Sequence, residues 1–459
     1  MKYVECFMLA TVSLGLSLHA SATPTEDEIR QLGTTLTPIG AEMAGNAAGT
    51  IPRWDGGLCV PPAGYSPKRG EAGGGPWVDP FAGEKPVVSI TPANLAQYAD
   101  KLDEGTKTLF KLYPETFHVN VYPTHRTACY PQWVYDNTIK NVRNPKLVGK
   151  APGLINAHAQ IPFPIPKNGY EAMWNQSLRV DTPYLRGDQE NWLVDASGNV
   201  TLTSTNRIEQ SKPYWDNTLT SVPDNEPHWT LVSTTIAPAA SAGVKQLRYN
   251  FLDTEKQDPM AWSYVPGQRR VRLAPEFKYD TVSTSSGGVL LFDEISGFDG
   301  KMDKFDFVLK GKREMYVPAN DYAFNSAPGE VVNTPRHANP DYLRFELRRV
   351  WEVEATLKPG ERHVQKTKVF YLDEDSWAVM VYNAFDQSGK IQKVTFFPGF
   401  QEYDKPQYRA APNILYDFTK RVYTNNTRMG ADKSTGFYRV AQYPKTFFSA
   451  GSLAGTGVR

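Results

Sequence analysis

The sequence lacks the features that mark nucleic-acid-binding and membrane-spanning proteins. Its 50 Lys and Arg residues are balanced by 49 Asp and Glu residues, so it has no basic excess that would contact a phosphate backbone. It also has no run of 18 apolar residues, which argues against a polytopic membrane protein. Hydrophobic residues make up 40% of the chain and aromatic residues 12%, which is ample for a large core. The sequence therefore predicts a folded protein without nucleic-acid partners.

Recognisable catalytic and metal-binding patterns are also missing. No GxSxG, HExxH, P-loop or GxGxxG motif occurs. Among only seven histidines, His118 and His125 are spaced too loosely for a metal site. Asp299, Asp303 and Asp306 lack the ligand order of a calcium-binding EF-hand loop and are interpreted as a solvated turn. We therefore predict a non-enzymatic protein with no catalytic residue, no metal and no cofactor, and we keep an exported hydrolase with an unrecognised site as the alternative.

Residues 1–22 have the pattern of a cleavable signal peptide. Lys2 gives a minimal positive start, residues 7–18 are apolar but too short to span a bilayer, and Ala20 and Ala22 form an A-x-A cleavage pattern. We expect a soluble protein exported to the periplasm, with a possible peripheral association with the outer membrane.

Cysteine is scarce, and its use fits an oxidising compartment. Removal of the signal peptide takes Cys6 and leaves Cys59 and Cys129. An even pair in an exported protein favours a disulfide, with two buried free thiols as the alternative. Neither cysteine has the spacing of a structural zinc site.

The mature chain changes texture near residue 225. Residues 23–225 carry short helical patterns between Pro- and Gly-rich loops, including a capping box at Thr25 and a helix expected to open at Thr91. Residues 226–459 alternate apolar and polar with a period of two. We expect a helix- and loop-rich N-terminal part that packs on a sheet formed by the C-terminal part, as one continuous domain.

The alternating strands indicate an antiparallel meander. Residues 345–357 form one long strand pattern, and residues 260–265 and 269–273 predict a hairpin. We predict a mainly β (α+β) fold with about nine to eleven strands, because short turns link the patterns. A sheet of this size must curl to cover its apolar face, so we expect a curved half-barrel capped by helices and loops.

Two sets of residues are candidates for ligand binding. The aromatic and aliphatic strand residues indicate either a core or a hydrophobic groove, and the groove set is Trp262, Val271, Trp351, Val353, Trp377 and Val379. The adjacent His125 and Arg126 are the clearest polar candidates. They could form an ion pair within a loop or bind an anionic group.

Several motifs together resemble one family of Gram-negative proteins, domain of unknown function 1329. They are LGxxLTPxG at residues 32–40, GTIPxWxGG at 49–57, YPTHR at 122–126, IPFPIPKNG at 161–169, WxYxPGQRRVR at 262–272, WxVEATLKPG at 351–360 and YxDEDSW at 371–377. The sheet half of that family is similar to the lipoprotein carriers LolA and LolB. The resemblance implies a periplasmic carrier or adaptor that binds a lipid-like or other hydrophobic molecule. It also implies outer-membrane and RND-type exporter partners, and a purely structural adaptor for such a complex is the other alternative.

Overall fold

The computed structural model describes residues 23–65, 77–275, 278–410, 412–429 and 436–455, so the predicted signal peptide at residues 1–22 lies outside the described residues. The described chain is mainly β. Its α-helices are α1 (Glu26–Ile29), α2 (Glu104–Leu112), α3 (Gln132–Lys140), α4 (Gly169–Ser177), α5 (Tyr322–Ser326), α6 (Gly329–Val332) and α7 (Ala450–Gly455). Its strands are β1 (Val88–Ile90), β2 (Val119–Tyr122), β3 (Lys146–Val148), β4 (Gly153–Ile155), β5 (Tyr184–Val194), β6 (Val200–Ser211), β7 (Trp229–Ala237), β8 (Lys245–Asn250), β9 (Met260–Val265), β10 (Arg270–Leu273), β11 (Phe305–Pro318), β12 (Phe345–Leu357), β13 (Thr367–Asp373), β14 (Val379–Phe385), β15 (Ile391–Phe396), β16 (Phe400–Glu402), β17 (Gln407–Arg409), β18 (Asn413–Asp417), β19 (Val422–Arg428) and β20 (Gly436–Arg439).

One open sheet contains sixteen of the described strands. Its hydrogen-bonded order is β1-β2-β12-β13-β14-β15-β18-β19-β5-β6-β7-β8-β9-β10, with β11 also paired to β12 and β20 to β5. Strands β2 and β12 pair in parallel, whereas consecutive strands such as β13 and β14 pair antiparallel. The mainly β fold class is therefore confirmed, but the predicted count of nine to eleven strands was too low.

The count was too low partly because β5 and β6 do not alternate apolar with polar. These strands run for 11 and 12 residues, yet one face of β6 carries Asn206, Ile208 and Gln210 and the other carries Arg207 and Glu209. Hydrophobic periodicity is the main strand signal in a sequence, and a strand that is polar on both faces does not give it.

Three of the local predictions from the sequence are confirmed and one is wrong. The capping box at Thr25, the strand β12 and the β9–β10 hairpin are confirmed. The helix expected from Thr91 is wrong, because that stretch forms two 3₁₀ turns, Leu95–Gln97 and Ala99–Lys101. The helix begins later, at Glu104, where the Asp103 side chain accepts a hydrogen bond from the Thr106 N–H.

Both faces of the central strands are buried. Val369 and Tyr371 of β13 point into one apolar cluster, and Phe370 and Leu372 point into another. Helix α2 packs on the first face at β15, and α4 packs on the second face at β11 and β12. This part of the sheet is consequently a filled core.

The strands β5 to β10 are covered differently. On one face, residues 443–455 supply Phe448 and Leu453, which pack against Val232, Leu247 and Tyr264. The other face of β5 to β8 faces a cavity that side chains do not fill.

Candidate functional site

The cavity lies between strands β5–β8 and residues 283–296, a stretch that we call the cover segment. It has a volume of about 150 Å³. Residues 179–181, 408–410 and 426–427, together with Phe437, complete its wall, so the lining comes from widely separated parts of the chain. Its apolar lining residues are Val180, Leu185, Ile208, Leu231, Leu290, Phe292, Ile295 and Phe437. The remaining lining residues are mostly polar, and they determine the chemistry of the site.

Period-two geometry places amide side chains on the cavity wall. Gln189 pairs with Asn206 across β5 and β6, and Gln210 pairs with Leu231 across β6 and β7. Directly opposed residues share a face, so these side chains form one surface with Gln246 of β8, the partner of Ser233. The result is a ladder of amides interrupted by aliphatic side chains.

A chain of hydrogen bonds fixes how these amides point. The Thr427 backbone N–H donates to the Asn191 Oδ1 at 3.0 Å, and the Asn191 Nδ2 donates to the Ser204 Oγ at 3.0 Å. The Asn206 Nδ2 donates to the same hydroxyl oxygen at 3.0 Å. Asn426 is held similarly, because its Nδ2 donates to the Asn413 Oδ1 at 3.1 Å. The amide nitrogens of both Asn206 and Asn426 are therefore already used.

The side-chain carbonyl oxygens of Asn206 and Asn426 are buried without a hydrogen-bond partner within the described ranges. Each residue is 2% exposed. A buried polar atom without a partner costs about 1–3 kcal/mol. Two such oxygens on one cavity wall mark a place where a hydrogen-bond donor would stabilise the protein.

A cluster of charges lies at one end of the cavity. The Lys212 Nζ is 2.7 Å from the Asp181 Oδ2, and Arg409 makes two hydrogen bonds to Glu402, at 3.0 and 3.1 Å. Arg179 forms no ion pair in the part of the chain that the structure describes, and its Nη1 donates to the Gln176 carbonyl at 3.0 Å. These five charged side chains, three cations and two carboxylates, leave one positive charge in excess.

Burial disfavours the charged forms of the cations in this cluster. It lowers the pKa of Arg179, an effect that Asp181 opposes and Arg409 reinforces. It also lowers the pKa of Lys212, where Asp181 opposes and Arg179 reinforces the effect. Burial would raise the pKa of Asp181, but Lys212 and Arg409 hold that pKa far below its ordinary value. The cations are thus the disfavoured partners, and additional negative charge would stabilise them.

Buried ion pairs anchor the cover segment to the sheet. The Lys393 Nζ donates to Glu294 at 2.9 Å, and the Gln365 Nε2 donates to the same carboxylate at 2.6 Å. Asp293 binds Lys368 and lies 3.0 Å from the His363 Nε2. Burial would raise the pKa of Asp293, but Lys368 and His363 lower it, so this carboxylate is charged.

Arg248 connects the segment to the strands. Its guanidinium is 2.6 Å from Asp299, 5.6 Å from the centre of the Phe292 ring and 5.9 Å from that of Trp229. Because Asp299 pairs with Arg248, it does not sit in a solvated turn as its sequence context suggested.

The predicted groove residues are divided between two apolar clusters. Val353, Trp377 and Val379 are buried in the filled core, where Trp351 stacks on Trp377 with ring centres 6.1 Å apart. Trp262 of β9 and Val271 of β10 pack instead with residues 443–455, which cover the sheet face that does not line the cavity. None of the six belongs to the lining of the cavity at β5–β8, and their role in ligand binding stays a prediction.

His125 and Arg126 point to different acidic groups. The His125 Nε2 is 2.6 Å from Glu84, and its ring stacks on Phe81 with centres 4.2 Å apart. Arg126 is buried and makes two hydrogen bonds to Asp375, at 2.6 and 2.9 Å. Both contacts therefore join distant segments of the chain, while anion binding by either residue stays a prediction.

An acid or a serine within hydrogen-bond reach of His125 or His363 would favour the hydrolase alternative. Both histidines have an acid within reach, Glu84 and Asp293 respectively. The second ring nitrogen of His363 accepts a hydrogen bond from the Gln365 N–H at 3.0 Å, so this imidazole is held between two partners. In the described ranges no serine hydroxyl binds either ring, and no cluster of three metal-ligating side chains occurs.

The predicted pairing of Cys59 with Cys129 is confirmed, with their Cα atoms 5.6 Å apart. The bond joins the N-terminal loops to the segment that leads into α3. Helices long and apolar enough to cross a bilayer do not occur among the described residues.

Sequence reasoning missed the cavity because it searched for hydrophobic stripes. The usable signal was the run from Thr201 to Ser211, which is rich in hydroxyl, amide and charged residues and contains neither Gly nor Pro. Such a run is typical of a strand whose inward face is solvated or binds a polar ligand.

The large open sheet, with a partly polar cavity on one of its faces, defines a mainly β protein. Comparison with known proteins gives the family: the chain belongs to the proteins of unknown function DUF1329, whose family model matches residues 89–454. It is 38% identical over 425 residues to uncharacterized protein PA3922 of Pseudomonas aeruginosa, covering 91% of each chain.

Two solved structures match part of this chain. A DUF1329 family protein from Desulfovibrio piger matches 62% of this chain and 97% of its own, with 14% identity and a TM-score of 0.44. A LolA superfamily protein from Nitrosomonas europaea matches 61% of this chain and 97% of its own, with 9% identity and a TM-score of 0.35.

Proposed function

We propose that this protein is a periplasmic carrier that binds a lipid-like amphiphile in the cavity between β5–β8 and the cover segment. The observation that carries the proposal is the cavity itself, in which aliphatic side chains alternate with amides and cations. A site of that composition suits a molecule with both an apolar and a polar part. Transfer of the cargo to an outer-membrane or RND-type partner is the transport step of this proposal.

The size of the cavity supports partial enclosure of the cargo. Burial of an acyl chain of about sixteen carbons is worth roughly 12 kcal/mol, at about 0.8 kcal/mol per CH₂. A volume of about 150 Å³ encloses only a small part of such a molecule. Since a membrane offers the chain a comparable gain, a carrier that encloses only part of its cargo can release it to a bilayer or a partner protein.

The test begins with the protein purified from its own periplasm without detergent. The protein is extracted with organic solvent, and the extract is compared by mass spectrometry with that of an unrelated periplasmic protein. We expect one class of amphiphile in near-stoichiometric amount. An empty protein, in a preparation that is folded by circular dichroism, would contradict the proposal.

A matched pair of variants assigns the cargo to the cavity. Ser233→Phe places a ring in the cavity, because Ser233 lies on its wall. Ser197→Phe adds the same ring to an exposed turn between β5 and β6. We expect Ser233→Phe to lose most of the bound amphiphile and Ser197→Phe to keep it. Equal retention by both variants would place the cargo elsewhere.

A further inference from the structure

The cavity wall specifies which polar group it is built to receive. Asn206 and Asn426 each present a buried carbonyl oxygen without a partner within the described ranges. A carbonyl oxygen only accepts hydrogen bonds, and the amide nitrogens that could have changed places with these oxygens are engaged by Ser204 and Asn413. The missing groups are therefore hydrogen-bond donors, such as hydroxyls.

The same cavity has an unbalanced positive charge. Asp181 neutralises Lys212 and Glu402 neutralises Arg409, whereas Arg179 forms no ion pair in the described chain. Arg248, the fourth cation of the lining, is neutralised by Asp299. A guanidinium on a cavity wall binds phosphate or carboxylate oxygens well, because its N–H groups form a planar fork. The missing partner at this end of the cavity is therefore an anion.

The dimensions add a limit on size. A cavity of about 150 Å³ is comparable to one that holds a single benzene ring. The enclosed group is therefore compact, so the polar end of an amphiphile fits better than its hydrocarbon chain.

We propose that the cavity binds an anionic, hydroxyl-bearing group, with its hydroxyls donating to Asn206 and Asn426 and its anion pairing with Arg179. This inference rests on the proposed function, in which the group is the polar head of the carried amphiphile. A free polyol phosphate has the same chemistry, and the experiment distinguishes the two sources.

The experiment measures binding by titration calorimetry on the full mature chain. The probes are dihexanoyl phosphatidylglycerol, dihexanoyl phosphatidylcholine and glycerol 3-phosphate, each below its micellar concentration where one applies. We expect phosphatidylglycerol to bind at least about tenfold more tightly than phosphatidylcholine, because the choline head has no hydroxyl and carries a positive charge.

Variants test the individual contacts. Arg179→Gln removes the unpaired cation and should weaken phosphatidylglycerol binding about tenfold or more, and Arg179→Lys should restore part of that loss. Asn206→Asp keeps an acceptor oxygen but adds a negative charge to the cavity wall, and it should weaken binding of the anionic probe at least as much. Arg270→Gln, on the exposed strand β10, is the matched control and should bind as the unchanged protein does. Thermal unfolding of each variant verifies that it is folded.

The outcomes separate the two proposals. Binding of glycerol 3-phosphate with the same dependence on Arg179 supports the inference and identifies a free polyol phosphate as the source, whereas binding of phosphatidylglycerol alone identifies a lipid. Equal binding of both lipids, unchanged in Arg179→Gln, overturns the inference but leaves the amphiphile carrier standing. If neither lipid binds and the purified protein yields no extractable amphiphile, the proposed function fails as well.

Discussion

Arg126 is a residue whose removal would leave a buried carboxylate without its main partner. It pairs with Asp375, whose pKa burial would raise but Arg126 holds below its ordinary value. We expect Arg126→Met to lower the free energy of unfolding by about 3–5 kcal/mol, because the carboxylate keeps its burial and loses its main partner. Urea unfolding measures the loss.

Arg143 offers the matched control for that substitution. It pairs with Glu26 at the surface, where solvent screens the interaction. Arg143→Met should cost at most about 1 kcal/mol. Similar losses in the two variants would show that burial contributes little to the value of the Arg126 pair.

His228 gives the stability a pH dependence. Burial lowers its pKa to about 3, so the folded state keeps the imidazole neutral where the unfolded chain, with a pKa of about 6.5, takes up a proton. Its contribution is therefore present above about pH 6.5 and is lost as the pH falls toward 3. We expect the unfolding free energy of the wild type to fall more steeply than that of His228→Gln between pH 6.5 and 5. Parallel slopes for the two proteins in urea titrations would contradict this assignment.

At the residue scale the sequence predicted which side chains would form polar contacts, but it did not predict which residues would be their partners. It identified His125 and Arg126 as a charged pair of interest, but Asp375 lies 249 residues further along the chain. Asp373, Glu374 and Asp375 lie at the turn between β13 and β14, yet all three are nearly inaccessible to solvent beside arginines. Burial of a charge depends on which strands meet, and spacing in the sequence does not reveal that.

Helix α2 approaches the sheet so closely that a methyl group has no room at Gly105. A Cβ built at Gly105 would lie 2.3 Å from the Val394 Cβ on β15. In an open helix, replacing glycine with alanine adds up to about 1 kcal/mol of stability. Here overpacking should reverse the sign, so we expect Gly105→Ala to cost about 1–3 kcal/mol in urea unfolding.

Gly83 is the control for that substitution. A Cβ there meets no atom within 4 Å. Gly83→Ala should therefore leave stability within about 0.5 kcal/mol of the wild type. If Gly105→Ala is equally mild, the helix moves away from the sheet at little cost.

At the scale of elements, a strand was predictable from the sequence when apolar and polar residues alternated clearly along it. The strand β12 was predictable because Phe345, Leu347 and Val353 give it a clear apolar pattern. The strand β6 was not, because Asn206 and Gln210 face a cavity instead of a core. Elements that build the candidate site were thus the ones that local reasoning missed, as happens where residues serve binding more than packing.

The Cys59–Cys129 disulfide acts on the stability of the whole molecule. It closes a loop with a sequence separation of 70. Chain entropy assigns such a loop roughly 4 kcal/mol. We expect the double variant Cys59→Ala, Cys129→Ala to unfold at a correspondingly lower urea concentration. Reductant should destabilise the wild type and leave the double variant unchanged, and destabilisation of both would point to another cause.

At the scale of the molecule the class of fold was predictable and the route of the chain was not. Alternation downstream of residue 226 indicated a sheet, and the motifs indicated the family. The pairing of β5 with β19 and β20 left no local trace, because strand order depends on contacts between distant segments.

The pairing of β5 with β19 and β20 also affects the order in which the protein folds. The backbone of Thr427 binds Asn191, 236 residues earlier, and Phe437 completes the cavity wall. Contacts so distant in sequence form late and slowly, and until they form the edge of β5 is unpaired. Nearly the entire chain must therefore be available before the cavity is complete. A fragment that ends before β19 would leave that edge of β5 exposed and the cavity without part of its wall.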